Sequence, residues 1–215
     1  MPNSPKSQET RQRILDAAEA LFARDGFASV TVRQIMKQAG ADVALAYYHF
    51  GSKRDLFDSV LLRRAETMNA IRHAALDEVE RRHPDDSPTV EEIIAAFTNP
   101  LLDLLESDHE QWRHYFALVA QVNNSPEWGG ELMTKYFDPL VRRFLDALRK
   151  ALPDCPPEDL YWSYHFLSGA LTLTFAETGR IDNLSDGACS SRDMAAIAER
   201  LPAFIAAGFQ YLASK

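Results

Sequence analysis

Apolar residues recur at intervals of three and four along nearly all of this 215-residue chain, and no segment sustains the apolar–polar alternation of a half-buried strand. This spacing gathers the apolar side chains on one face of a helix, which turns every ~3.6 residues. The first such stripe is formed by Ile14, Leu15, Ala18, Leu21 and Phe22. The pattern therefore predicts an all-α fold.

Clusters of glycine, proline and asparagine divide the chain into predicted helices. The first begins at about residue 7 or 10 and ends at Arg24, before Asp25-Gly26. Pro139 falls inside a predicted helix, which we expect it to bend or divide. The other helices are predicted at 32–38, 43–49, 52–82, 89–106, 109–123, 128–151, 157–180 and 191–213.

Charge is partitioned along the chain. The net charge of −8 argues against nucleic acid as a partner, because DNA binding relies on lysine and arginine to neutralise phosphates. However, residues 1–60 hold eight Lys/Arg against seven Asp/Glu, whereas residues 61–215 hold 15 against 24. We therefore predict a DNA-binding domain over 1–51 and an acidic helical domain over 52–215.

Several other classes of protein are disfavoured by the composition. No apolar run approaches the ~20 residues that a bilayer requires, which predicts a cytoplasmic protein without a membrane partner. Cys155 and Cys189 have no metal-ligand spacing, so neither a metal nor a cofactor is expected. The paired carboxylates or Glu-x-x-His repeats of helical-bundle enzymes are not found, which predicts a protein that is not an enzyme.

Four polar residues in the acidic part are predicted to have ordinary surface roles. His109 lies five residues from His114, which is not the spacing of a metal site on one helical face, so a solvated role is predicted. Glu177 and Arg180 are three residues apart and are expected to form an ordinary helix pair.

Residues 31–50 have the pattern of a helix-turn-helix. Thr31 and Asp42 are placed to cap two short helices, and Ala39-Gly40 ends the first of them. Two short helices joined by a tight turn that contains glycine are typical of this DNA-binding motif. The segment 31–57 is therefore expected to carry the function.

The chemistry of these residues suggests how DNA would be bound. The first turn of the motif's second helix carries only aliphatic side chains of modest size, so its backbone is expected to approach the major groove closely. Arg33 is the best candidate for a bidentate contact with guanine. The other predicted contacts are Val43, Ala44 and Leu45 to shape or thymine methyls, and Thr31, Tyr47, Tyr48, His49 and Lys53 to the phosphate–sugar backbone.

These residues carry a resemblance to the TetR/AcrR family of transcriptional regulators. It covers the first helix (RQRILDAAEALFARDGF), Thr31-x-Arg33, Ala39-Gly40, and the run Tyr48-His49-Phe50 followed by Ser52-Lys53. Val43, Ala44 and Leu45 stand where the family often has lysine, glycine and threonine. The resemblance implies a ligand-responsive repressor that binds a palindromic operator as a homodimer.

In that family the remaining chain dimerises through its last two long helices, which implies a dimer interface formed by 157–180 and 191–213. The apolar residues of the first of these crowd more than one face, as a helix with a further partner requires. The segments YWSYHFLSGA (161–170) and PAF (202–204) are also similar to fatty-acid-responsive members. The predicted dimerisation residues are Trp162, Phe166, Ala170, Leu173, Phe204 and Phe209.

The family also holds its effector among the middle helices. An apolar or acyl-type effector would suit the large side chains there. The alternative interpretation is that each of them packs in the hydrophobic core. The candidates are Phe97, Leu101, Trp112, Phe116, Trp128, Tyr136 and Phe137. Two alternatives remain open from the sequence: a constitutive DNA-binding protein without an effector, and an activator.

Overall fold

The structure is a computed structural model that describes residues 4–126 and 129–215. Within those ranges the chain forms helices and no β-strand, so the predicted all-α class is confirmed. The helices are α1 Pro5–Ser29, α2 Val32–Ala39, α3 Val43–Phe50, α4 Lys53–Arg82, α5 Val90–Ser107, α6 His109–Asn123, α7 Gly129–Ala151, α8 Pro157–Phe175, α9 Arg180–Leu184 and α10 Met194–Ala213.

The first helix differs from its predicted end. Gly26 does leave the helical conformation, with φ of 76°, as the Asp25-Gly26 pair predicted. The chain then resumes a helical turn as far as Ser29. This turn positions Phe27 against Phe22 and Phe57, with ring centroids 5.6 and 5.1 Å from the Phe27 ring. The extra turn thus adds Phe27 to a cluster of three phenylalanine rings in the core of the N-terminal helices.

The helix α4 passes from the N-terminal helices into the rest of the molecule. Its first turns pack on α1 and α3, and its later turns pack on α5 and α7. Helix α10 lies against α5 and α8, so the chain's C-terminal helix packs on the middle of the body. The inward face of α4 is formed by residues spaced three or four apart, Leu61, Ala65, Met68, Arg72, Leu76 and Val79.

The predicted helix 157–180 ends earlier, at Phe175. Glu177 has a φ of 41°, and its carboxylate meets His109 Nε2 at 2.8 Å and Arg192 Nε at 3.4 Å. The predictions of a solvated His109 and of a Glu177–Arg180 helix pair are therefore wrong. The reason is that Glu177 leaves the helix and bridges the start of α6 to the segment before α10.

Proline interrupts none of the long helices of the body. Helix α7 continues through Pro139, as α5 and α10 continue through Pro100 and Pro202. In the described part of the chain, no helix combines the length and apolar character needed to cross a membrane.

Candidate nucleic-acid interface and ligand cavity

The helix α2 begins with a complete capping box. The Thr31 hydroxyl accepts from the backbone N–H of Gln34 at 3.3 Å, and the Gln34 side chain accepts from the Thr31 N–H at 2.7 Å. This reciprocal pair satisfies two backbone donors at the helix start. Arg33 is exposed, because α2 turns Ile35 and Met36 inward.

The turn between α2 and α3 is closed by a glycine. Gly40 has a left-handed conformation, with φ of 61°, and its N–H and that of Ala41 bond back to carbonyls of α2. Arg13 of α1 donates to the carbonyl of Ala39 at 3.1 Å, which ties the end of α2 to the first helix. The angle at which α3 leaves α2 is therefore held from both sides.

Helix α3 presents an aromatic face to solvent. Asp42 caps it by accepting from the N–H of Ala44 at 2.8 Å, and the helix buries Ala46 and Phe50. Tyr47 and Tyr48 are 56% and 61% exposed. Ala44 is exposed beside them, so a short exposed face carries two phenol hydroxyls next to a small side chain.

The remaining predicted DNA contacts are less accessible. Val43 and Leu45 are half-buried and pack against the hydrophobic core, and His49 is half-buried. Lys53 lies with its ammonium 4.2 Å from the centroid of Phe27, and partial burial lowers the pKa of Lys53. Lys53 therefore lies in a packed position beside α1.

One basic residue near this face was missed by the sequence reasoning. Lys37 is exposed on α2, four residues after Arg33, and residues at that spacing share a helical face. The spacing alone could have found it. Arg33, Lys37, Tyr47 and Tyr48 are among the exposed polar residues of α2 and α3 and could contact a polyanion.

The N-terminal helices are joined to the body by a buried ion cluster. Glu19 of α1 is 4% exposed, and its carboxylate pairs with Arg63 at 2.7 Å and with Arg64 at 2.9 Å, both on α4. On the other side, Gln121 of α6 donates to the carbonyl of Ala23 at 2.5 Å. Both α4 and α6 are therefore bonded directly to α1.

A cavity of about 50 Å³ lies among the middle helices. Ligand pockets usually have volumes of about 300–1,000 Å³, so in this conformation most of the space is filled by side chains. The lining is apolar with a polar minority: Met68, Phe97, Leu101, Val119, Met133, Phe137, Val141, Leu171 and Phe175, together with Arg72, Asn123, Tyr164, Ser168 and Thr172.

Three of the seven predicted effector residues, Phe97, Leu101 and Phe137, line this cavity. Trp112 instead lies under the Arg64 guanidinium at 4.9 Å, and Phe116 packs on Phe175 with centroids 4.4 Å apart. Tyr136 is buried outside the lining, and Trp128 lies outside the described residues.

The cavity also contains a charge that the sequence reasoning missed. Arg72 is 5% exposed, its Nε donates to the carbonyl of Phe97 at 2.9 Å, and its Cζ lies 3.6 Å from the Phe97 ring centroid. Burial lowers the pKa of Arg72 to about 9. The signal in the sequence was an arginine at an inward position of α4, between Met68 and Leu76.

A second apolar surface lies across α8 and α10. Helix α8 buries Leu167, Leu171 and Phe175 and leaves other large apolar side chains on its opposite side. Of the predicted dimerisation residues, Ala170 is half-buried and Phe209 is buried within the protomer. The other four are exposed by half or more: Trp162 51%, Phe166 58%, Leu173 65% and Phe204 76%.

Between these two helices runs a groove of about 600 Å³, with Phe209 among its lining residues and Phe166 and Phe204 at its sides. Monomeric proteins rarely leave a contiguous apolar surface of this kind open to water.

The arrangement is that of a helix-turn-helix carried on a helical body. Two family models match it, one described as bacterial regulatory proteins of the tetR family over residues 14–60, and one as the tetracyclin repressor-like C-terminal domain over residues 95–208. The chain belongs to the TetR family of bacterial regulatory proteins, which confirms the resemblance inferred from its motifs.

Curated relatives match over part of the chain. The regulator AcrR of Shigella flexneri is 44% identical over 55 residues, which is 26% of each chain. The repressor BepR of Brucella suis is 29% identical over 127 residues, covering 59% of this chain and 56% of BepR. The chain thus spans between a quarter and just over half of the length of these two relatives.

Solved structures match along nearly the whole chain. The fatty acid degradation regulator FadR of Bacillus halodurans has a TM-score of 0.64 at 16% identity, covering 96% of this chain and 97% of that one. FadR of Bacillus subtilis, solved in complex with stearoyl-CoA, has a TM-score of 0.58 at 18% identity, covering 92% and 98%. At these identities the likeness establishes the fold.

Proposed function

We propose that this protein is a ligand-responsive transcriptional repressor that binds palindromic operator DNA as a homodimer. The observation that carries the proposal is the exposed face of α3, held by caps and by Arg13 in a helix-turn-helix whose inner side is buried. Membership of the TetR family supports it. BepR, one of its relatives, is a repressor by name.

In this proposal the first turn of α3, whose side chains are aliphatic and of modest size, would lie in the major groove. Arg33 would read a guanine, and Val43, Ala44 and Leu45 would contact shape or thymine methyls. The backbone would be contacted by Thr31, Tyr47, Tyr48, His49 and Lys53, which position the protein without reading sequence. Since the Thr31 hydroxyl is engaged in the capping box, its contact would be an additional one.

The homodimer would form through α8 and α10. Trp162, Phe166, Leu173 and Phe204 would meet the same residues of a second copy, while the buried Phe209 would support them from below and Ala170 would allow close approach. A two-fold dimer buries one patch on both copies. It would also set the two α3 helices about 34–36 Å apart, the distance between successive major grooves.

The effector would be a small apolar or acyl-type molecule bound among the middle helices. The partly apolar cavity next to Phe97, Leu101 and Phe137 supports this, and the complex of B. subtilis FadR with stearoyl-CoA gives a precedent within the same fold. Because the cavity is small, binding would require its walls to move. The helix α4 forms one wall and reaches α1 through the Glu19 cluster, so its movement would change the spacing of the α3 helices.

The proposal includes a division into a DNA-binding domain, 1–51, and an effector-binding and dimerisation domain, 52–215. Phe57, at the start of α4, packs on Phe22 with centroids 5.2 Å apart, so the two parts share a boundary within the first turns of α4. The regulator would act on DNA in the cytoplasm, without catalysis.

The proposal is tested by selecting genomic fragments with the purified protein at a stated salt concentration. Quantitative binding to the enriched sites follows, with and without long-chain acyl compounds. An enriched palindrome that is released by an acyl compound supports the proposal. A palindrome indifferent to ligands favours the constitutive alternative, tighter binding with ligand contradicts release by the effector, and no enrichment overturns DNA binding.

A further inference from the structure

Arg72 is a buried charged group, and few of its neighbours stabilise the positive charge. It is 5% exposed and lines the cavity together with Phe97, Leu101 and Phe137. With a pKa of about 9 it remains protonated at neutral pH. In the described ranges 4–126 and 129–215 the guanidinium forms no ion pair with a carboxylate, and its one hydrogen bond runs from Nε to the carbonyl of Phe97.

A buried charge without a counter-charge is costly, and replacing such a group by an apolar one of similar size is often neutral or stabilising. The ring of Phe97 compensates part of this cost by a cation–π contact at 3.6 Å. The two terminal nitrogens retain the planar donor pair that suits a carboxylate.

We infer that the cavity binds an amphipathic organic carboxylate, whose acid group pairs with Arg72 and whose hydrocarbon part lies along Phe97, Leu101 and Phe137. This assignment rests on the proposed function, because it takes the cavity to be the effector site. The cavity lining also includes Asn123, which donates to Thr172 at 2.6 Å and to Ser168 at 3.2 Å. These three side chains already satisfy one another, and of the two remaining polar lining residues, Arg72 and Tyr164, only Arg72 carries a positive charge.

The volume of about 50 Å³ means that a ligand must displace side chains from the cavity. Met68 and Met133 line it, and methionine has three flexible bonds that adapt to a new neighbour. Met68 and Arg72 lie on successive turns of α4. Neutralising Arg72 and moving Met68 would therefore act on the helix that leads to the DNA-binding domain.

The inference is tested by calorimetric titration of the full chain with even-numbered alkanoates from butanoate to dodecanoate, each compared with its 1-alkanol. The variants are Arg72→Met, which keeps a stem of similar length as far as Nε but removes the guanidinium, and Arg142→Met, a matched change at an arginine whose side chain is 79% exposed. We expect at least one alkanoate to bind the wild type and the Arg142→Met protein equally. Its Kd should rise about tenfold or more in Arg72→Met, as loss of a charged hydrogen bond predicts.

Binding of the alcohols should stay within about twofold in Arg72→Met. We also expect the unliganded Arg72→Met protein to unfold at the same temperature as the wild type or higher. If Arg72→Met does not fold, Arg72→Gln retains a donor to the Phe97 carbonyl and replaces it in the titration. The inference is overturned if no alkanoate binds the wild type, if acids and alcohols bind alike, or if the Arg72 variant binds the alkanoate unchanged.

Operator binding, measured on the same proteins, keeps the two proposals separate. An alkanoate that needs Arg72 but leaves operator affinity unchanged supports the carboxylate site and contradicts the effector role. An operator that is released by another compound, in a protein that binds no alkanoate, supports the repressor and contradicts the carboxylate site.

Discussion

Tyr47 and Tyr48 are exposed because α3 has eight residues and can bury only one narrow side, here Ala46 and Phe50. Exposing two neighbouring tyrosines costs hydrophobic free energy that burial would recover, at about 25 cal/mol per Å² of apolar surface. A partner that accepts hydrogen bonds from their hydroxyl groups offers one reason for that exposure. The phosphate backbone of DNA is such a partner.

Replacing Tyr48 by Phe removes one hydroxyl from the exposed face of α3 and leaves the fold unchanged. We expect the affinity for the selected operator to fall about fivefold to tenfold, the effect of one lost hydrogen bond of about 1 kcal/mol or slightly more. The measurement is fluorescence anisotropy at fixed salt. Tyr161→Phe, at an exposed tyrosine of α8, is the control and should bind DNA as the wild type does.

Arg33 and Lys37 share a face of α2 but have different predicted roles. Arg33→Ala should weaken binding by about 1–3 kcal/mol at one base pair per half-site and leave discrimination at other positions intact. Lys37→Ala should weaken binding equally on all sequences and reduce its salt dependence, as loss of a phosphate contact does. Binding to a set of singly substituted operators measures both, and an equal loss on every sequence for Arg33→Ala would make it a phosphate contact.

Helix α5 shows how one element is stabilised by local hydrogen bonds. Thr89 and Glu92 form a capping box in which the Glu92 carboxylate accepts from the Thr89 N–H at 2.9 Å and from its hydroxyl at 2.8 Å. His83, which ends α4, lies 3.1 Å from the same carboxylate. These hydrogen bonds, first those of Thr89 and then that of His83, lower the pKa of Glu92 to about 2.

The pH dependence of this cap follows from the sign of the shift. The pKa of Glu92 is lower in the folded chain than its ordinary value of 4.5, so its contribution is complete above pH 4.5 and is lost as the pH falls towards 2. Glu92→Gln should therefore lower the free energy of unfolding by about 0.3–1 kcal/mol at pH 7, and the difference from the wild type should shrink below pH 4.5.

Urea unfolding at pH 7, 5, 4 and 3 measures this difference. Glu91→Gln changes the exposed neighbour that lies outside the capping box, and it should show a smaller effect. A difference for Glu92→Gln that stays constant down to pH 4 and below would contradict the assigned role of the carboxylate.

In the proposed dimer, the apolar face across α8 and α10 would affect the whole molecule, because it would decide whether one copy or two copies present α3 to DNA. Phe204 is 76% exposed at the side of the groove. A glutamate there would place one charge from each copy in an apolar interface without partners.

We expect Phe204→Glu to convert the dimer to a monomer and to weaken binding to the palindrome at least about a hundredfold, since two linked half-sites bind far more tightly than one. Sedimentation velocity and operator binding measure the two effects. Leu184→Glu is the matched control, because Leu184 is 77% exposed on α9, away from the groove. A dimeric Phe204→Glu protein would contradict the proposed interface.

The helical class and the helix starts at Thr31, Asp42 and Ser52 are predictable from the sequence, because caps and apolar spacing act over three or four residues. The motif residues Tyr48, His49 and Phe50 lie in one such local unit, and they also identify the family. The residue at which α8 ends could not be predicted from such local patterns. It depends on Glu177 meeting His109, 68 residues away in the chain.

The candidate ligand site depends even more on distant parts of the chain. Its lining comes from five helices, α4 to α8, and no local pattern indicates which aromatic side chains of those helices converge. Trp112 and Phe116 are buried aromatic residues on a helix, as Phe97 is, yet their side chains pack outside the cavity. Helix type is set by neighbours along the chain, whereas the position of Arg72 inside an apolar cavity is set by how the helices pack against one another.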